Sequence, residues 1–316
     1  MQVTYRIIGL VLFVIFGLLI SQFVAMVVAL PFFGFSLDAV FNTLQNPPQN
    51  SQGRIFLLYL QGFTASGAFV LSPWLYLKQF ESKPWGYLFG HRQPAALQIK
   101  SFGGALLVTL AVMPFNAWVF AWNMQWKFPS WMAGFEIWAQ TNEQRLRELT
   151  VFITAFSSIG EFLLGLLVIA MVPALGEEIL FRGILQRQVA QKIPTGWAVW
   201  VVAFVFSFIH FQFYGLVPRM ILGVLFGYLF AWSGNLWIAV WAHFVNNGFT
   251  IVMVYLYHLR LVAFDIEQTP QIPLSAAMTS LALTCLFLWV FRRNCQTNLV
   301  ALPTSDKKPQ KLTEAL

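Results

Sequence analysis

Long runs without a charged residue dominate the chain, and their lengths set the fold class. Thirty-one residues separate Arg6 from Asp38, 23 separate Arg54 from Lys78, 26 separate Lys100 from Lys127 and 26 separate Lys192 from Arg219. A further 40 lie between Arg219 and Arg260, and 24 between Glu267 and Arg292. A hydrocarbon core takes about 20 helical residues, so each run crosses once. The 40-residue run is broken by the turn signal Ser233-Gly234-Asn235 and therefore crosses twice. One more span, over about 150–175, is apolar except for Glu161. The pattern predicts an all-α polytopic membrane protein of about eight transmembrane helices.

Two segments break the pattern. The connection over about 123–148 follows Trp122 and carries Trp126, Trp131 and Trp138, then Gln, Glu and Arg, the composition of an amphipathic helix lying along the interface. The segment 294–316 is polar and basic with Pro303 and Pro309, and reads as a flexible cytoplasmic tail behind a single transmembrane domain, 1–293. The first apolar run, 7–33, exceeds the roughly 7 to 15 residues of a cleaved signal and stays as the first helix.

Composition sharpens this. The chain of 316 residues is 58% hydrophobic and only 10% charged, too little charge to solvate a globular exterior, so a water-soluble fold is excluded. The net charge of +7 comes from scattered basic residues with no stripe of stacking aromatics, so nucleic acid is not a partner; the bilayer is. Thirteen of the 19 basic residues fall on one side when the N-terminus is placed inside, which predicts cytoplasmic N- and C-termini. Cys285 and Cys295 have neither metal-ligand nor redox spacing. No phosphate-binding glycine loop, dinucleotide fingerprint or fixed repeat is present, which leaves nucleotide-driven transport without support.

An ionisable group inside a span costs about 2.5 to 3.5 kcal/mol and needs a reason. The groups to explain are Glu161, the run Glu177-Glu178 with Arg182, His210 and His243; His91, His258 and Glu267 fall in loops or at helix ends. Glu178 and Arg182 stand at i and i+4 in the favourable order for a helical ion pair. Glu177 points about 100° round the helix from Glu178 and is left without a local counter-charge, the condition for a general base. Phe206 with His210, and His243 with Asn247, repeat the i, i+4 spacing on two other helices. Together they supply a base, an orienting imidazole and oxyanion donors, a hydrolase inventory that also suits a metal. The structural alternative has both glutamates neutralising Arg182 at the cytoplasmic membrane edge and each histidine bonding between helices. Glu161 lies about 24 Å from Glu177 along one helix and is not expected to share the site. A Gly-x-Ser-x-Gly elbow and a His-Glu-x-x-His motif are both missing, so activated water is preferred over a side-chain nucleophile, and a metal would need ligands from separate helices.

At these residues the chain resembles the CPBP intramembrane protease family, which includes CAAX prenyl endopeptidases and bacterial proteins linked to bacteriocin processing and immunity. The resemblance covers about 173–248: Glu177, Glu178 and Arg182 as Glu-Glu-x-x-x-Arg, Phe206 and His210 as Phe-x-x-x-His, and His243 and Asn247 as His-x-x-x-Asn, in that order. The resemblance implies an eight-helix fold and a site opening toward the cytoplasmic side. It implies that Glu177 with His210 activates water, that His243 and Asn247 hold the oxyanion, and that Glu178, Arg182 and Phe206 support the site. The family is described both as metalloprotease and as metal-independent glutamate protease. Both stay open, with Glu177, His210 and His243 the candidate zinc ligands.

The leading reading is an intramembrane endopeptidase that cleaves a membrane-bound or lipidated protein or peptide by Glu/His-activated water. The alternative is a non-catalytic membrane scaffold or bacteriocin immunity factor of the same fold; a proton-coupled transporter comes third, lacking paired inverted halves.

Overall fold

The computed structural model describes residues 2–89, 95–263 and 272–299; His91, Glu267 and the tail from 300 onward lie outside the described residues. Among the described residues there is no strand, and the chain is an all-α polytopic membrane protein. The helices used below are α1 (Gln2–Ala29), α2 (Ser51–Glu81), α3 (Ala95–Asn123), α4 (Ala133–Thr154), α5 (Ile159–Val189), α6 (Thr195–Phe208), α7 (Leu216–Ser233), α8 (Leu236–His258) and α9 (Leu274–Leu299). A short helix, Leu37–Gln45, joins the first two.

Seven of these are long and apolar enough to span a membrane: all but α4 and α6. Of the eight spans expected, the one drawn over the run between Lys192 and Arg219 is only partly helical. Its 14-residue α6 is about 21 Å long, short of the hydrocarbon thickness, and gives way to the turn 209–215 that carries His210. The span placed at 150–175 is also displaced. α4 runs on to Thr154, Ser158 caps a new helix by accepting from Glu161 N at 3.2 Å, and α5 continues to Val189. Glu177, Glu178 and Arg182 thus lie well inside a span rather than at its edge. The last helix continues to Leu299, past the boundary expected at 293.

Two helices are widened by π turns, each followed at once by a proline. In α2 the turn Gly67–Leu71 precedes Pro73, and in α5 the turn Leu166–Met171 precedes Pro173. Proline lacks the N–H that an α-helical ladder needs, and the shift to i→i+5 bonds just before it absorbs the missing donor. Two further π turns have no proline directly behind them: Leu77–Glu81 closes α2, and Ile179–Gln186 starts directly after Glu177-Glu178.

Small residues bring helices close. Cβ atoms built on Gly223 and Gly227 of α7 would meet Ala203 and Val199 of α6 at 3.0 and 2.8 Å, so these two helices pack backbone to backbone. Gly67 faces Ser21 of α1, where a Cβ would lie 2.3 Å from the serine Cβ. Gly67→Leu should therefore force α1 from α2 and lower stability by about 1–3 kcal/mol, an overpacking penalty readable as a lower melting temperature in detergent. An unchanged melting temperature would show that α1 is loosely held.

Glu161 bonds to neighbours of its own, away from Glu177. Its carboxylate accepts from Ser51, from Arg54, and from Ser157 through N at 3.1 Å and Oγ at 2.7 Å, which ties the start of α5 to the start of α2. Arg54 also donates to Phe152 O at 3.1 Å, so both charges are satisfied and the cluster fastens three helix ends.

Candidate active site

The largest core cluster draws on every numbered helix above except α4, with Ile179, Phe206, Phe226 and Ala239 contributed by α5, α6, α7 and α8. One polar network is set into it. Glu178 and Arg182 are both 0% exposed, and Arg182 Nη1 donates to Glu178 Oε1 at 2.8 Å across the expected i, i+4 spacing. Arg182 Nη2 donates to Gly223 O at 2.9 Å, and one helical turn on, Gln186 Nε2 donates to Gly227 O at 3.1 Å. The guanidinium lies over the rings of Phe206 at 4.8 Å and Phe226 at 5.7 Å. Phe206 thus lies against the arginine from α6.

His243 joins this network from α8. Its Nδ1 is 2.8 Å from Glu178 Oε1, and its ring stacks on Phe226 at 5.0 Å and 18°. A carboxylate only accepts, so Nδ1 carries the proton and donates. The opposite nitrogen, Nε2, faces Glu177 Oε2 at 3.9 Å, an ion-pair separation but too long for a hydrogen bond. The two adjacent glutamates therefore have different surroundings. Glu178 is sealed and already shared between Arg182 and His243, whereas the Glu177 side chain keeps 15% of its surface accessible and, among the described residues, no direct hydrogen bond.

His210 stands two residues past the end of α6, and its Nδ1 donates to Phe206 O at 2.7 Å. That bond fixes the neutral ring with a lone pair on Nε2. The next residue, Phe211, has φ of +54°, a left-handed conformation that an aromatic residue adopts only when its surroundings impose it. α4 imposes it here: Asn142 donates to Phe211 O at 2.9 Å, Gln140 donates to the Tyr214 hydroxyl at 3.2 Å, and Phe135 packs edge-on against Phe213. The amphipathic helix foreseen in the Trp-rich connection is thus the support of the turn that aims His210. No direct hydrogen bond links His210 to Glu177.

Asn247, one turn after His243, accepts from Asn246 Nδ2 through Oδ1 at 3.1 Å, which leaves its own Nδ2 as a donor. The structure thus gathers Glu178, Arg182, Phe206 and His243 into one contact network, with Glu177 facing His243. His210 is tied to it through Phe206, and Asn247 lies one turn along α8.

Two contributors were not foreseen. Phe226 sandwiches His243 and Arg182, but nothing marks it among 33 phenylalanines. Arg219, read only as a boundary between apolar runs, stands in the first turn of α7 and its charge acts on Glu177. The signal was available: an arginine with 26 uncharged residues before it and 40 after it needs a reason to be there.

Among the described residues, no three His, Cys, Asp or Glu side chains are gathered as a set that could hold a metal ion. His243 has its Nδ1 engaged by Glu178 and His210 its Nδ1 engaged by a carbonyl, so zinc ligation by Glu177, His210 and His243 would fall to the two Nε2 atoms.

Comparison with known proteins agrees with the motifs. Residues 159–249 match the family model described as type II CAAX prenyl endopeptidase Rce1-like, a stretch that contains all three motifs. A 96-residue segment is 27% identical to the uncharacterized protein YpbD of Bacillus subtilis (strain 168), covering 29% of this chain and 47% of that protein. The chain thus spans about half the length of this curated relative. No solved structure matches.

Proposed function

We propose that this protein is an intramembrane endopeptidase that hydrolyses a peptide bond of a membrane-bound or lipidated substrate with water activated by Glu177. The observation that carries the reading is the division between adjacent glutamates: Glu178 is sealed and shares its Oε1 between Arg182 and His243, and Glu177 is partly accessible and free to take a proton.

In this scheme Glu177 accepts one proton of a water molecule, and the lone pair on His210 Nε2 accepts a hydrogen bond from its other hydrogen. The water oxygen forms a bond to the peptide carbonyl carbon, and the negative charge moves to the carbonyl oxygen. Asn247 Nδ2 donates to that oxyanion, and so does His243 Nε2 when the ring carries both protons. Collapse breaks the C–N bond while Glu177 returns its proton to the leaving nitrogen. No step runs through a metal.

Supporting a substrate with an apolar anchor, a cleft of about 1590 Å³ runs between α1, α2 and α5, walled by Leu12, Phe16, Phe63, Trp74 and Leu167. Its wall includes Leu175, two residues before Glu177. With both termini cytoplasmic, as the basic residues suggest, and α6 with its turn taken as an eighth crossing, His243 lies seven residues, about 10 Å, from the cytoplasmic end of α8, in keeping with a site entered from that side. His210 and Arg219 reach the cluster from the other end, from the turn between α6 and α7.

The test is cleavage of a quenched peptide library, part of it lipidated, by purified protein in detergent with and without a strong chelator. Cleavage that survives the chelator is expected. Cleavage abolished by chelator and restored by zinc would replace the water-activation scheme with a metal centre. A folded protein that cuts nothing in either condition would leave the non-catalytic scaffold as the better account.

A further inference from the structure

Arg219 is a cation that this scheme leaves unused, and its surroundings are those of a binding group. Its side chain curls back over Gly215, where a Cβ would lie 3.4 Å from Nη2. Gln212 Oε1 accepts from Nη2 at 2.6 Å, and Gln212 Nε2 in turn donates to Glu143 Oε1 at 3.4 Å, so a relay from α4 aims the guanidinium. The other terminal nitrogen, Nη1, is buried and has no hydrogen-bond partner. Glu143 and Glu177 act on it through space, yet among the described residues neither forms an ion pair with it. Nor is Glu143 a ready counter-charge, since burial pushes its carboxyl up and its Oε2 is itself buried without a partner.

An arginine N–H left open in surroundings of low dielectric, its charge felt by the acid that handles the water, is matched by an anion with two coplanar oxygens. A peptide offers that group as a free C-terminal carboxylate or as an Asp or Glu side chain. We propose that Arg219 is an anion subsite that receives a carboxylate of the substrate close in sequence to the scissile bond. The inference rests on the endopeptidase reading and adds to it a substrate class: peptides that carry negative charge next to the cut. Gln212 and Glu143 are positioning residues for this subsite, and Gly215 provides the room for the arginine to lie back across the turn.

The experiment compares kcat/KM for four peptides built on one cleaved sequence: a free C-terminal acid, its amide, an amide with Asp beside the cut, and an amide with Asn there. The protein should favour one carboxylate-bearing peptide over its neutral counterpart by about tenfold or more, the size of one charge-assisted hydrogen bond. Arg219→Gln should bring that ratio near one, and Arg219→Lys should keep part of it. The acid and amide pair against the Asp and Asn pair identifies which carboxylate is read. Each ratio is taken within one protein preparation, so a lower folded yield cancels, and a merely structural arginine would not move it.

Equal cleavage of all four peptides, or an unchanged ratio in Arg219→Gln, overturns the subsite and leaves the endopeptidase standing. An Arg219→Gln effect that follows the anionic lipid content of vesicles instead of peptide charge also overturns it, assigning the guanidinium to a phospholipid phosphate. A folded protein that cuts none of the four, nor any member of the wider library, fails earlier, at the endopeptidase reading, and takes the subsite with it.

Discussion

Glu177→Gln should lower turnover by about 10²–10⁴-fold, the usual worth of a positioned general base, while the protein keeps its melting temperature. The glutamine is nearly isosteric and cannot take a proton. Glu177 holds no direct hydrogen bond and sits 3.9 Å from His243 Nε2, so neutralising it strands no partner that Glu178 does not already hold. Single-turnover cleavage with a saturating peptide reads the chemical step, and KM should change little because the base contributes mainly in the transition state. A variant that retains cleavage within tenfold of the parent would remove Glu177 from the chemistry. The companion change Glu178→Gln should behave differently, losing stability along with activity, because it unties both Arg182 and His243.

Arg182→Ala should be the most destabilising single change in the site, by about 3–5 kcal/mol, because it leaves the carboxylate of Glu178 buried with its main counter-charge gone. Coulomb attraction in the network offsets the desolvation of two ions only while both are present, and the rings of Phe206 and Phe226 then face a void where the guanidinium lay. Arg182→Lys should not rescue: one ammonium cannot reach both Glu178 Oε1 and Gly223 O with fixed fork geometry, nor lie flat on Phe206. A double change, Arg182→Met with Glu178→Leu, removes both charges and should recover much of the stability without any activity, since His243 loses the acceptor that fixes its Nδ1 proton. Thermal unfolding in detergent beside the cleavage assay separates these cases. A single Arg182→Ala protein that melts with the parent would show that the ion pair is not holding the helices.

Much of this site could be seen in the residues before any coordinates. The Glu178 to Arg182 pair followed from helical spacing, and Glu177 stood out as the acid facing elsewhere. The spans were less legible where polar signals act at short range. The end of α4 and the start of α5 merge into one apolar stretch on hydropathy, but Ser158 caps a helix there and Arg54 reaches across to Glu161, so the span starts later and the motif sits deeper. The run ending at Arg219 is long enough to cross but holds a left-handed Phe211, a backbone choice that α4 imposes from outside the run.

What the sequence determined by itself is the set of properties that depend on neighbours along the chain. In a bilayer every backbone polar group must be paired locally, so uncharged runs of this length become helices, and the 3.6-residue period then decides which side chains share a face. What only the tertiary structure decided is which faces meet. His243 reaches Glu178 over 65 residues and Arg182 reaches Gly223 over 41. Those contacts exist because Gly223 and Gly227 let α7 lie against α6 closely enough to present their carbonyls to α5. The lie of Arg219 back across Gly215 is tertiary too: its direction is set by Gln212, Gly215 and the helix α4 packed over them, and no period along the chain encodes it.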